Sequence, residues 1–65
     1  MKKYFEHNVD DAERIAVVDG DVNESDFGDE IDSSELPNDF GNWKKYTAYA
    51  AADGCTVNVM SRDGD

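Results

Sequence analysis

Trp43-Lys44-Lys45-Tyr46-Thr47-Ala48-Tyr49-Ala50 and Thr56-Val57-Asn58-Val59-Met60-Ser61-Arg62 stand on either side of Asp53-Gly54. An Asp-Gly pair favours the positive-φ conformations of tight hairpin turns. In the second run Cys55, Val57 and Val59 alternate with Thr56, Asn58 and Met60, the period of a strand with one buried face. Residues 43–62 are therefore read as a β-hairpin.

Toward the N-terminus, Lys2 to Val18 holds two apolar clusters, Tyr4-Phe5 and Ile15-Ala16-Val17-Val18, separated by the polar stretch Asn8 to Arg14 with Asp10-Asp11 near its middle. This reads as strand, turn, strand. A short helix through Glu13 to Val17, capped by Asp10 or Asp11, is the rival reading. The β-branched Ile15, Val17 and Val18 favour the strand.

Between the two pairs lies Asp19 to Asp39, with nine of the chain's sixteen acids and no Lys or Arg. Ser25 can cap a helix whose first turn carries Asp26, Asp29 and Glu30 near the positive end of the helix dipole, and Pro37 would stop it. Only Phe27 and Ile31 would share a face of that helix, with Leu36 nearly opposite Phe27. The expected fold class is α+β, a small antiparallel sheet of three to four strands with one short acidic helix covering a face. Tyr4 or Phe5, Ile15, Val17, Phe40, Trp43, Tyr46, Val57 and Val59 are the expected core, and the tail Arg62-Asp63-Gly64-Asp65 is expected to fray.

Residues 1–65 form a single small acidic domain on this reading. A chain of 65 residues buries only about 60% of its unfolded surface. By the usual scaling its radius of gyration is near 11 Å, too small for a deep substrate cleft. Mean hydropathy is −0.78, but seven aromatics and one proline argue for order. The single Cys55 cannot form an internal disulfide, and the single His7 leaves no Cys/His set for structural zinc. No cofactor is called for. A lone thiol fits a reducing compartment, and Met1-Lys2-Lys3-Tyr4-Phe5-Glu6 turns polar before any apolar run of signal-peptide length, so a cytoplasmic location is expected. No run reaches the ~20 apolar residues of a membrane span. Six Lys or Arg against sixteen acids give a net charge of −10, which repels anionic membranes and nucleic acid alike. Oligomeric state is not readable from the chain.

Catalysis has little to stand on. His7 is the one histidine available to a hydrolytic triad and sits beside Glu6 on a strand, while Cys55 has no neighbouring cation and reads as a small buried apolar residue. The chain is not expected to be an enzyme. Asp19-x-Asp21-x-Asn23 followed by Glu30 resembles positions 1, 3, 5 and 12 of the EF-hand calcium loop, but Glu24 stands where the turn requires glycine. Trp43, Tyr46 and Tyr49 recur every third residue; on a strand Trp43 and Tyr49 would share one face, with Tyr46 on the other. An exposed ring there would suit a partner protein.

The acidic density is the remaining feature. Asp19, Asp21, Glu24, Asp26, Asp29, Glu30, Asp32, Glu35 and Asp39 are the candidate partner-binding residues, because a rigid run of carboxylates spaced about 5 to 6 Å apart imitates a phosphate track. Such a surface would be drawn to the Lys/Arg groove of a basic nucleic-acid-binding protein and would compete with DNA for it. In size and charge alone the chain resembles the small acidic phage-encoded DNA-mimic inhibitors of host defence, of anti-CRISPR or anti-restriction type. That resemblance implies a CRISPR surveillance complex or a restriction enzyme as target, and the host cell cytoplasm as location. The competing reading is a solvated acidic face that serves solubility or an unrelated protein interaction. Mimicry predicts clustered acids and solvation predicts dispersed ones. Lys2, Lys3, Lys44 and Lys45 would form one basic region if the first strand lay beside the strand 43–50.

Overall fold

The alternation around Val57 folds as read. In the computed structural model, which describes residues 2–8, 12–20, 22, 25, 27–51 and 55–63, Val57, Val59 and Ser61 are buried while Thr56, Asn58 and Met60 are not. Five strands, β1 (Lys2–Glu6), β2 (Arg14–Asp19), β3 (Glu30–Ile31), β4 (Lys44–Ala50) and β5 (Thr56–Ser61), form one antiparallel sheet in the order β3-β1-β2-β5-β4. Both expected strand pairs are present, β1 with β2 and β4 with β5, and β2 against β5 joins them. The turns at Asp10-Asp11 and Asp53-Gly54 lie outside the described residues. The Cα radius of gyration is 11.0 Å.

The α+β expectation is corrected: the described residues contain no α-helix, and the sheet has five strands. Where a helix was expected, Glu30–Ile31 is a strand paired to Tyr4 and Phe5, followed by 3-10 turns at Ser33–Glu35 and Phe40–Asn42. The reason is where the apolar side chains go. A helix would have pointed Phe27 and Ile31 the same way with no further apolar stripe to bury. As loop and strand they serve opposite faces of the sheet, Phe27 stacking on Phe5 at 5.2 Å and Ile31 standing opposite Tyr4.

Register divides the side chains between the faces, since directly opposed residues point the same way. One face carries Phe5, Ala16, Val18, Val57 and Val59; with Cys55 they form the core cluster, against which Val22, Phe27 and Ala51 pack. The other carries Tyr4 and Ile15, and here Phe40 meets Tyr4 edge-on at 5.9 Å and Trp43 at 5.3 Å. The acidic segment thus wraps the sheet, covering one face before β3 and the other after it. Of the expected core, Phe5, Ile15, Trp43, Val57 and Val59 are buried; Val17 and Phe40 are half-buried. Tyr46 is 48% exposed, and its expected core place is corrected.

A bulge explains Tyr46. Lys45 pairs with Met60 but Thr47 with Val59, so Tyr46 is the extra residue. One extra residue switches every later side chain to the other face. Tyr49 therefore shares the face of Val57, and Tyr46 lies over the Arg14 guanidinium at 4.0 Å on that same face. Trp43 is on the opposite side, against Phe40 and Arg62, which corrects the pairing of Trp43 with Tyr49. The covering segments stop short of β4, all seven of whose residues are exposed.

The candidate acidic cleft

Gly28 sits close against β1 at the edge of the cleft. A Cβ at this position would sit 3.1 Å from both the Cβ and the carbonyl oxygen of Glu6, tighter than ordinary contact, so glycine allows this approach to β1 without a shift of a few tenths of an ångström. The Gly28 N–H donates to the Glu6 carbonyl at 2.8 Å and the Glu6 N–H to the Asp29 carbonyl at 2.9 Å. These bonds set Asp29 and Glu30 beside Glu6 at the end of β1. On the other side, His7 N–H donates to the Arg14 carbonyl at 3.0 Å and Arg14 N–H to Asn8 Oδ1 at 3.2 Å. They fix the mouth of the β1–β2 connection and place Glu13. The 3-10 turn Ser33–Glu35, closed by Glu35 N–H to the Asp32 carbonyl at 2.8 Å, brings Glu35 and then Pro37 to the third side.

The result is an open cleft of about 470 Å³, with Glu6, Glu13, Asp29, Glu30 and Glu35 around Ile15 and Ile31. Arg14 is its one cation among the described residues; it is 8% exposed, and its guanidinium lies under the Tyr46 ring. Glu13 shares its charge with Arg62 at 3.1 Å. Among the described residues no cation pairs with Glu6, Asp29, Glu30 or Glu35.

Of the nine acids expected from sequence, the fold brings Asp29, Glu30 and Glu35 to the cleft. Asp19 stands opposite Lys2 at the other end of β1, and Asp32 is exposed between β3 and the turn. Asp39 accepts from Arg62 Nε at 2.8 Å. Asp21, Glu24 and Asp26 lie outside the described residues. Glu6 and Glu13 were not foreseen as site residues. They flank the turn of the first strand pair, but nothing in the chain announces that β3 pairs with β1 and carries the acidic segment to them.

Asp19 and Glu30 do not share an ion. They lie on opposite sides of β1, opposite Lys2 and Phe5, and point to opposite faces. The offset is about 14 Å from strand rise and spacing, against ligand distances of 2.3–2.6 Å around calcium. No group of three or more His, Cys, Asp or Glu among the described residues is placed to hold a metal; Asp21 and Asn23 are outside them. The lysines also fail to merge. β1 and β4 are separated by β2 and β5, so Lys2 and Lys3 lie at a corner remote from Lys44 and Lys45.

Comparisons with protein-family models, curated proteins and solved structures find no match to this chain. No helix among the described residues is long and apolar enough to cross a membrane.

Proposed function

We propose that the chain is an acidic nucleic-acid mimic that binds a basic nucleic-acid-binding protein and occupies the groove where DNA would lie. The observation that supports this reading is the gathering of five acidic residues around one cleft, four of them unpaired among the described residues. Clustering of this kind is what mimicry requires and a merely solvated surface does not. Glu6 and Asp29, joined by the hydrogen bond from the Glu6 N–H, are spaced by strand geometry at about 5 Å between Cα atoms, the order of spacing of phosphates along a DNA strand; Glu30, opposite Phe5, is one position further along, on β3. A Lys/Arg groove would exchange its DNA counter-charges for these carboxylates, with electrostatically steered association. A defence nuclease or surveillance complex is the kind of target that fits.

The alternative, a partner surface built on aromatics, loses its best anchor because Trp43 is 5% exposed. The deciding experiment is capture from a bacterial lysate on immobilised protein, repeated with excess duplex DNA and with a Glu6→Lys, Glu30→Lys, Glu35→Lys variant. Mimicry requires retention of a nucleic-acid-binding protein that DNA displaces and the variant loses, with an Asp32→Lys control retaining it. A partner indifferent to DNA and to the variant overturns the reading.

A further inference from the structure

The sheet has two edges of unequal character. β3 offers two residues, whereas β4 offers seven, about 23 Å of strand at the usual rise. Among the described strands β4 pairs with β5 alone; it is exposed on both faces and displays Tyr46 and Tyr49 at 48% and 43% exposure. An edge of this kind is a template for another strand unless it is blocked. Lys44, Lys45 and the bulge block its first end, but Thr47 to Ala50 carries no charge at all.

Charge identifies the occupant. Residues 40–52 contain no Asp or Glu, in a chain with sixteen acids and a net charge of −10. Most other contacts between two copies would press carboxylates together. This edge is also the one farthest from the acidic cleft. We propose that two copies of the chain pair through β4, antiparallel, about a two-fold axis at Ala48. The sheets then join into one, and the acidic clefts lie toward its two ends, the β1 strands at their centres about 34 Å apart at the usual strand spacing. That is several times the ~8 Å screening length at physiological salt, so the charge of one copy's cleft does not oppose the other's.

The register is what makes a second copy fit. With Ala48 on the axis, Thr47 stands opposite Tyr49 of the second copy, an aromatic and β-branched cross-strand pair. The two Tyr49 rings become diagonal neighbours on one face. Lys45 faces Ala51 rather than a lysine, so the two basic ends point away from each other. This inference is independent of what the cleft binds.

Sedimentation velocity on the full chain from about 1 μM to about 1 mM, the range in which a weak interface titrates, should show a monomer–dimer equilibrium. Ala48→Lys places two like charges on the axis and should leave only monomer across that range, with an unchanged circular dichroism spectrum since Ala48 is exposed. Ala48→Cys should be cross-linked by oxidised glutathione far faster than Ser34→Cys on the distant 3-10 turn, because opposed Cα atoms about 4.5 to 5.5 Å apart suit a disulfide. A wild-type chain that stays monomeric throughout, or association that survives Ala48→Lys, overturns the proposal. So does equal cross-linking of the two cysteine variants.

Discussion

Arg62 donates through Nε to the Asp39 carboxylate at 2.8 Å, across 23 residues of sequence, and in doing so ties the covering turn Phe40–Asn42 to the end of β5. The same guanidinium reaches Glu13 at 3.1 Å and lies 4.9 Å over the Trp43 ring. The hydrogen bond from Arg62 is the main reason the Asp39 carboxyl is held below the usual carboxylate range; partial desolvation opposes it, and the Trp43 N–H and the Arg62 charge reinforce it. The Trp43 Nε1 is buried and makes no hydrogen bond of proper geometry among the described residues, so its help is electrostatic.

Because the folded pKa of Asp39 lies below its unfolded value near 3.9, the stabilisation is complete above that value and is lost as pH falls through the folded pKa. Other carboxylates obscure this in the wild type, since protonating them relieves repulsion. The difference in urea midpoint between wild type and Asp39→Asn isolates it. That difference should favour wild type by a constant amount from about pH 5 to 8 and shrink below about pH 4. A difference that does not change with pH would mean that Asp39 acts through its shape and not its charge.

Gly20 has φ +126°, and a Cβ there would lie 3.2 Å from the Cys55 thiol. The thiol is itself buried and donates to the Asp19 carbonyl at 3.3 Å. Gly20→Ala should destabilise by about 1–3 kcal/mol, the usual cost of a side chain at such a dihedral. Adding Cys55→Ser or Cys55→Ala to it divides the cost, because the smaller side chain removes the crowding but leaves the backbone strain. Full rescue by Cys55→Ala would show that crowding alone makes glycine necessary.

What was legible in the chain was period-two alternation. Cys55-Val57-Val59 and the run Ile15 to Val18 marked their strands because burial on one face or both writes itself into consecutive residues. The acidic segment is not legible in the same way because its contacts are long-range. Ser25, Pro37 and the acids between them satisfy the capping and dipole rules for a helix though not its amphipathic pattern, and in the fold Phe27 packs on Phe5 and Ile31 stands opposite Tyr4. The bulge at Tyr46 was equally invisible, since it depends on the match between β4 and β5 and not on either strand alone. The cleft was half legible: three of its acids were named, while Glu6 and Glu13 become site residues only through the pairing of β3 with β1.

Arg14 under Tyr46 tests the bulge directly. The guanidinium is 4.0 Å from the ring centroid, and Arg14 is 8% but Tyr46 48% exposed, so the cation–π contact is desolvated on the arginine side only and worth about 1 kcal/mol. Tyr46→Phe keeps the ring and should leave thermal stability almost unchanged, whereas Tyr46→Leu should lose most of that amount. If the two variants are equally stable, the ring contributes only apolar cover and the Arg14 charge is satisfied elsewhere.

Carboxylates gathered for binding repel one another, and sites of this kind are retained at a cost in stability. Glu30 is exposed on an edge strand opposite Phe5, next to Asp29 in the chain and one position from Glu6 across the pairing, lines the cleft, and pairs with no cation among the described residues. Its removal therefore forfeits no ion pair and relieves like-charge repulsion, of the order of a few tenths of a kcal/mol for exposed neighbours. Glu30→Gln should raise the urea midpoint at low salt, and the gain should disappear near 1 M NaCl, where the screening length falls to about 3 Å. The same change at Asp32, outside the cleft, should give a smaller gain. Equal gains at both positions would mean that the acids act as one diffuse field. A gain confined to Glu30 that coincides with loss of partner binding would tie the local repulsion to the function that maintains it.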